Sequence, residues 1–460
     1  MGIGLYRKAP GGIAMMIGLE IHVQLPTRSK MFCSCPTTDA EGPNTHVCPG
    51  CLGMPGTKPV MNRKAVEYGI KLAKMLNCEI PDTMWFSRKV YFYPDMSKGT
   101  QITQYENPVG KKGVYYMNGK RPIRITKIQL EEDPGKTKRF GDQSSLVDYN
   151  RAGTPLTEIV TEPDFTTPAE AREFLRQLII DIRHTIDLPD DGERSIRCDC
   201  NISIGKERVE VKNVSGLKNV ERALTFEAVR QTKVLKAGGK VERETRGFDE
   251  ERGVTFSVRK KEYESDYGYI HEPDLGLFHI GDLARSITIK ESPAQTAARL
   301  SKEYGIDGKT ADQIVSTSIG LAEVFEMIAK ATGSVKTAVS WTRGAVSSNW
   351  KAFEASGKDP EGIAGILKKL EDGKITDVEA DMELNSYMTG RDAAAIKEQS
   401  ADLSQIIDGY LDAHPEIIEE IKKNEKALNR VIGHVMKETG GKYSSSDIVS
   451  ATKNALNSRL

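Results

Sequence analysis

Ile17-Gly-Leu-Glu-Ile-His-Val-Gln-Leu25 alternates without a break: Ile17, Leu19, Ile21, Val23 and Leu25 fall on one side of an extended chain, and Glu20, His22 and Gln24 on the other. Period-two alternation predicts a half-buried strand. Its apolar side needs a packed layer beneath it, while its polar side sets a carboxylate beside an imidazole. Such a pair suits a divalent cation or acid–base work, or it is a solvated strand face; the spacing leaves both open.

Working outward, carboxylates recur where other strands should end: Glu131, Glu132 and Asp133 after Ile128-Gln-Leu130, and Glu158 and Glu162 around Leu156-Thr-Glu-Ile-Val-Thr-Glu162. Mg²⁺ takes hard oxygen ligands, commonly one or two carboxylates with water and phosphate, so acidic residues converging with His22 would suit a nucleotide-bound ion. Ordinary surface charge is the alternative. Arg197-Cys-Asp-Cys-Asn-Ile-Ser-Ile204 puts Cys198, Cys200, Ile202 and Ile204 inward and Arg197, Asp199, Asn201 and Ser203 outward. After a turn at Gly205–Arg208, Val209-Glu-Val-Lys212 returns as a partner strand, adding Glu210 and Lys212 to the outward set, with Asn213 and Ser215 following. In Val254-Thr-Phe-Ser-Val-Arg-Lys260 the polar Thr255, Ser257 and Arg259 are expected to face away from the apolar set. A sheet face carrying Arg, Asp, Asn, Ser and Lys fits phosphates, sugar hydroxyls and an RNA end, or simply water.

Thr167-Pro-Ala-Glu170 reads as a capping box opening a helix whose buried stripe is Ala171, Phe174, Leu175, Leu178 and Ile182. From Ser292-Pro293 onward the chain becomes rich in Ala, Lys, Glu and Leu at helical spacing. A second break falls at Ala413-His414-Pro415, followed by Ile417, Ile418, Ile421, Leu428, Val431, Ile432 and Val435 at helical period up to Gly440-Gly441. The expected organisation is an α+β domain with an antiparallel sheet over 1–291, an all-α domain over 292–410 and a small all-α tail over 411–460.

At 460 residues the chain is long enough for several cores. Its 65 basic and 65 acidic residues balance, so any contact with nucleic acid must be local. No 18-residue apolar run is present and Met1 to Met16 is too polar for a leader, so a cytoplasmic protein without membrane contact is expected. Of seven cysteines, four cluster as Cys33-Ser-Cys35 and Cys48-Pro-Gly-Cys51. Two close pairs joined by a loop supply four thiolates to a closed, structural Zn²⁺ over residues 33–51, with His46 as a substitute ligand. P-loop, dinucleotide, kinase and Gly-x-Ser-x-Gly signatures are absent, as is the Gly/Ser-rich amidase signature, which argues against a stand-alone amidase.

Taken in order, Gly18-Leu-Glu-Ile-His-Val-Gln-Leu25, Arg88-Lys-Val-Tyr-Phe-Tyr-Pro-Asp95, Leu130-Glu-Glu-Asp133, Val147-Asp-Tyr-Asn-Arg-Ala-Gly153, Glu158-Ile-Val-Thr-Glu-Pro-Asp164, Arg197-Cys-Asp-Cys-Asn201, Glu210-Val-Lys-Asn213, Glu244-Thr-Arg-Gly247, Val254-Thr-Phe-Ser-Val-Arg259, Asp266-Tyr-Gly-Tyr269 and Gly433-His-Val-Met-Lys-Glu-Thr439 resemble the B subunit of the tRNA-dependent amidotransferases. The likeness spans nearly the whole chain. It implies a cradle-like catalytic domain that uses ATP and Mg²⁺ to phosphorylate the side-chain carboxylate of Asp or Glu mischarged on tRNA. Ammonia arriving through a channel from an amidase A subunit then displaces phosphate, giving Asn-tRNA or Gln-tRNA, in a complex that includes a small C subunit.

By this resemblance Glu20, His22, Glu131, Glu132 and Glu158 become magnesium ligands or channel-mouth residues, with Glu20, His22, Glu131 and Glu158 catalytic. Lys89, near Tyr91 and Tyr93, falls in the channel-lining stretch. Arg197, Asn201, Lys212, Ser257 and Arg259 are the candidates for ATP and the tRNA end, taken from strand faces. The chain departs from the family where Gly268 replaces a customary Arg and Ile270-His271 follow Tyr269, removing a basic phosphate contact. Lys422, Lys423, Lys426, Arg430, Lys437 and Lys442 make the tail modestly basic, as expected for a module that grips the tRNA body. Two rival readings are the archaeal E-subunit paralogue, whose expected insertion has little room here, and a non-catalytic zinc-stabilised RNA-binding translation factor.

Overall fold

The computed structural model describes residues 15–140, 144–188, 196–260, 268–390, 393–423, 428–439 and 445–457. Outside them lie most of the polar leader, Asp266, Tyr267, Lys426, Gly440, Gly441 and Lys442; the side chains of Asn213, Arg259, Lys422 and Lys423 are likewise not described. The chain divides into two compact units, Met1–Ser292 and Pro293–Leu460.

In chain order the first unit contains β1 (Met15–Gln24), α1 (Arg63–Met75), β2 (Thr83–Trp85), β3 (Ser87–Val90), β4 (Thr100–Thr103), β5 (Gly110–Met117), β6 (Arg121–Glu132), β7 (Lys136–Phe140), β8 (Ser144–Asp148), β9 (Pro155–Thr161), α2 (Pro168–Ile186), β10 (Ile196–Ile204), β11 (Arg208–Val214), α3 (Leu217–Lys236), β12 (Glu244–Asp249), β13 (Val254–Lys260), β14 (Gly268–His271), β15 (Leu277–His279) and α4 (Gly281–Ser286). Eight of the strands form one sheet in the order β13-β12-β11-β10-β1-β9-β6-β5. The quoted strand β1 sits at its centre, between β10 and β9. The sheet is mixed, because β11 and β12 run parallel. A parallel neighbour requires a crossover, and α3 supplies it.

The alternation of β1 is the alternation of the sheet. Ile17, Leu19, Ile21 and Val23 are fully buried and join Cys200, Ile202, Ile204 and Val211 under α2 and α3, in a core that also takes in Phe174 and Leu178. Burying such a side chain stabilises by roughly 1.5–3 kcal/mol, so a one-residue slip of β1 would forfeit several of these at once. Helix α2 starts as its sequence predicts, Thr167 accepting from the Glu170 backbone N–H. The Glu170 carboxylate reaches one residue further back, to the Thr166 N–H.

Strand β13 reverses its expected polarity. Thr255 is buried while Phe256 and Val258 are 50% and 58% exposed. A register shift interrupts the β12–β13 pairing, and Thr255 is drawn inward by donating to Glu227 of α3. Ser257 pairs with Arg246, whose guanidinium lies 3.4 Å from Glu227. It therefore shares the helix side of the sheet and is exposed there.

The second unit is all-helical, beginning at Pro293–Tyr304 as the Ser292-Pro293 signal predicts. Among the described residues it contains two buried clusters, one built from residues between Ala297 and Met388 and one from Leu403, Ile407, Leu411, Ile417, Val431, Val435, Ile448 and Leu456. The latter draws on the long helix Ala393–Ala413, so the core of the tail begins before residue 411. No helix among the described residues is long and apolar enough to cross a membrane.

Candidate functional site

Pairing in the eight-stranded sheet turns scattered polar residues into one surface. His22 lies opposite Arg197 on one side and Glu158 on the other, and Glu20 lies opposite Asp199. Glu158 in turn faces Gln129 of β6, and Asn201 faces Glu210 of β11.

Two clusters of ligand-bearing groups result, each with its potential donor atoms within 4.8 Å of one another: His22, Glu131 and Glu158, and Glu20, Asp199 and Glu210. The first has His22 Nε2 at 3.5 Å from Glu131 and 3.8 Å from Glu158. Thr103 donates to Glu131 at 3.2 Å, and Gln129 donates to Glu158. In the second, Asn201 donates to Glu20 at 2.9 Å and Thr245 to Glu210 at 3.2 Å, with Lys212 at 3.5 Å from Glu210.

Burial pushes the Glu158 carboxyl above its usual range, and Glu131 adds to the rise against His22, Lys127 and Lys89. Burial raises Glu20 too, helped by Glu158 and Asp199. Glu210 is raised by burial and by Glu20 and Asp199, with Lys212 opposing. For His22, burial favours the neutral ring, but Glu158 and Glu131 outweigh it and the net direction is upward. Carboxylates held against one another out of water have a deficit of positive charge. The buried acceptors Gln129 Oε1 and Asn201 Oδ1 also lack a partner. A hard oxygen set with one imidazole and unfilled acceptors fits a divalent cation at each cluster.

Glu132 is separated from this group. It turns to Lys98, 2.5 Å away, and accepts from the Ile102 N–H at 3.2 Å, so its charge is already met. Arg197 reaches Asp133 at 2.9 Å. Lys89 stands over Tyr91, 5.5 Å from the ring centre, and its charge reaches Glu158. Beside it Tyr269 stacks on Tyr105 at 3.9 Å, with the Lys127 ammonium 5.7 Å from the Tyr105 ring. Ser257 lies on the opposite side of the sheet from Glu20 and His22. Asp199, Glu210, Lys127 and Gln129 belong to the surface although sequence reasoning gave them no site role. Their outward parity was readable for Asp199 and Glu210, but not which strands would be neighbours.

The four cysteines Cys33, Cys35, Cys48 and Cys51 also converge, their sulfurs within 4.8 Å of one another. Tetrahedral Zn–S bonds of about 2.3 Å place sulfurs roughly 3.8 Å apart, so the set fits zinc. Hydrogen bonding from Cys33, the Cys48 N–H and the Lys30 charge hold the Cys51 thiol down at about 4. Lys30 is fully buried, with its ammonium 3.7 Å from Cys51 Sγ and 2.8 Å from the His46 carbonyl. His46 thus contributes its backbone to this corner.

Residues 15–284 match the family model described as the GatB/GatE catalytic domain, and residues 323–456 match the GatB domain. Relatives that match over nearly their full length are named as the B subunit of aspartyl/glutamyl-tRNA(Asn/Gln) amidotransferase. That of Methanoregula boonei is 39% identical over 93% of this chain and 95% of the relative. That of Methanospirillum hungatei is 39% identical over 97% and 99%, and that of Brevibacillus brevis 38% over 96% and 98%. The first domain model alone spans more than half of the 460 residues and carries every member of both acidic clusters. By the extent of these matches, the chain belongs to the family of aspartyl/glutamyl-tRNA(Asn/Gln) amidotransferase B subunits.

Proposed function

We propose that the first unit activates the side-chain carboxylate of Asp or Glu mischarged on tRNA with ATP and converts it to the amide with ammonia from a partner glutaminase. The observation that carries this reading is the pair of acidic clusters flanking one another through Glu20 and His22 of a single strand. Two cations, one at His22, Glu131 and Glu158 and one at Glu20, Asp199 and Glu210, fit a triphosphate laid across the sheet. When bound, such ions neutralise charge on phosphate oxygens.

A carboxylate is a poor electrophile toward ammonia, so its oxygen must first be made a leaving group. The substrate carboxylate oxygen attacks the γ-phosphorus, the bond to the bridging oxygen breaks, and ADP departs. Ammonia then attacks the acyl carbon, the carbon–oxygen bond breaks, phosphate leaves and the nitrogen sheds a proton. The departing phosphate takes that proton, while Glu158, held by Gln129, would serve the cation. Lys89 and Lys127, whose charges reach Glu158, line the approach for ammonia beside the Tyr105–Tyr269 stack.

Arg197, Asn201 and Lys212 orient nucleotide and tRNA end from the same face; the backbone of Arg259 pairs with that of Thr245. Zinc at Cys33, Cys35, Cys48 and Cys51 fastens the 33–51 loop, the partners are an amidase A subunit and a small C subunit, and the helical tail holds the tRNA body. The test is the purified complex with mischarged tRNA, labelled ATP and glutamine. ADP release only when mischarged tRNA is present supports the reading; its absence, or release indifferent to tRNA, overturns it. Running Asp-tRNA against Glu-tRNA identifies the substrate.

A further inference from the structure

Phe256 occupies an unusual place for a large apolar side chain, half-exposed near the edge of the sheet on the face that carries the acidic clusters. Its side is set by register. Thr245 bonds Glu210 across β11 and β12, Gly247 lies two residues along the same strand, and Phe256 pairs with Gly247. Its neighbour Thr255 goes to the other side, bonded to Glu227.

The ring's outer edge lies across Gly247: a Cβ built there would stand 2.8 Å and 3.0 Å from ring carbons Cε2 and Cε1. Glycine lets the aromatic ring settle against the backbone, with half of the side chain still open. That explains a Gly in Glu244-Thr-Arg-Gly247 that the chemistry of the site leaves unused.

We infer that Phe256, laid over Gly247, is the stacking platform for the purine base of ATP. The inference rests on the nucleotide–metal reading of the clusters. If a cation at Glu20, Asp199 and Glu210 takes phosphate oxygens, the base must lie within reach of that point. Two strand spacings of roughly 4.8 Å and a two-residue step of roughly 6.6 Å put Phe256 about 12 Å from Glu210, a span suited to an extended nucleotide. Toward β6 the same face carries carboxylates, His22 and lysines, which suit phosphate and cation. Toward β13 it carries an open π face, to which any base adheres.

The test is equilibrium binding of MgATP and of Mg-tripolyphosphate, which has no base, to the purified complex. Phe256→Ala is expected to weaken MgATP about tenfold and leave tripolyphosphate unchanged, since base–aromatic stacking has that order of worth. Gly247→Ala, which displaces the ring, should follow Phe256→Ala, and Phe256→Trp should restore affinity. In turnover, the KM for ATP should rise with kcat retained.

Unchanged MgATP affinity in Phe256→Ala, an equal loss of both probes, or a change confined to the KM for tRNA overturns the inference. If wild-type complex cleaves ATP with mischarged tRNA while Phe256→Ala binds normally, the platform fails and the proposed activity stands. If wild type cleaves none, the activity itself fails.

Discussion

The two faces of the central sheet bury carboxylates in opposite ways. On the helix side Glu227 is fully buried, with Arg230 and Arg246 beside it and Gln231 and Thr255 donating. Burial there would raise it, but the Arg230 hydrogen bond and the surrounding donors hold it below the usual range. On the other side Glu20, Glu158 and Glu210 face further acids and are raised. A buried acid matched by arginine is structure. A group of acids left short of positive charge fits a cation, and the proposed activity would use one there.

The comparison breaks first at the acids short of charge. Glu158→Gln, Glu131→Gln and His22→Ala should each cut tRNA-dependent ATP cleavage by ~10³-fold, several kcal/mol of lost charge stabilisation, while the partner's glutaminase rate is spared. Equal turnover in all three would remove the cluster from the chemistry. Arg246→Ala should do the reverse. It leaves Glu227 underpaired and should lower unfolding free energy by about 3 kcal/mol in denaturant titration, with MgATP affinity retained in the folded fraction. Lost activity at unchanged stability would refute the division of roles.

Cys48→Ser should reduce zinc bound per chain and make the 33–51 loop more susceptible to proteolysis. Wild-type protein purified without zinc, yet with a protected loop, would contradict it.

The smallest effect concerns Asp181, a buried acid with no arginine, whose carboxyl accepts from Tyr115 at 2.6 Å and which burial pushes up to about 6. Its folded value lies above the unfolded one near 3.9. The fold therefore holds the proton, and that contribution is complete below pH ~3.9 and lost as pH rises through about 6. Asp181→Asn should gain about 2 kcal/mol relative to wild type between pH 4.5 and 7.5; a constant difference across that range would rule this out.

Much of this sheet was legible because alternation is local. Ile17 to Val23 and Cys198 to Ile204 announce their own faces, and Thr167-Pro168 announces its helix. What could not be read was adjacency: Glu20 meets Asp199 through a pairing of residues about 180 apart in sequence. Asp199 and Glu210 were therefore visible as outward residues yet not as members of one acidic cluster. Glu132 was grouped with Glu131 by sequence, but a strand sends neighbours to opposite sides, and Lys98 was waiting on the other. Ser257 failed for a different reason. The register shift in β13 and the pull of Glu227 on Thr255 override the pattern of an edge strand.

Counting ions tests the central claim most directly. Mn²⁺ binding to the purified complex, followed by electron paramagnetic resonance, should show two saturable sites per chain. Glu131→Gln should lose one and Glu210→Gln the other, while Arg246→Ala keeps both. No saturable Mn²⁺, or the same two sites in all three variants, would contradict the account.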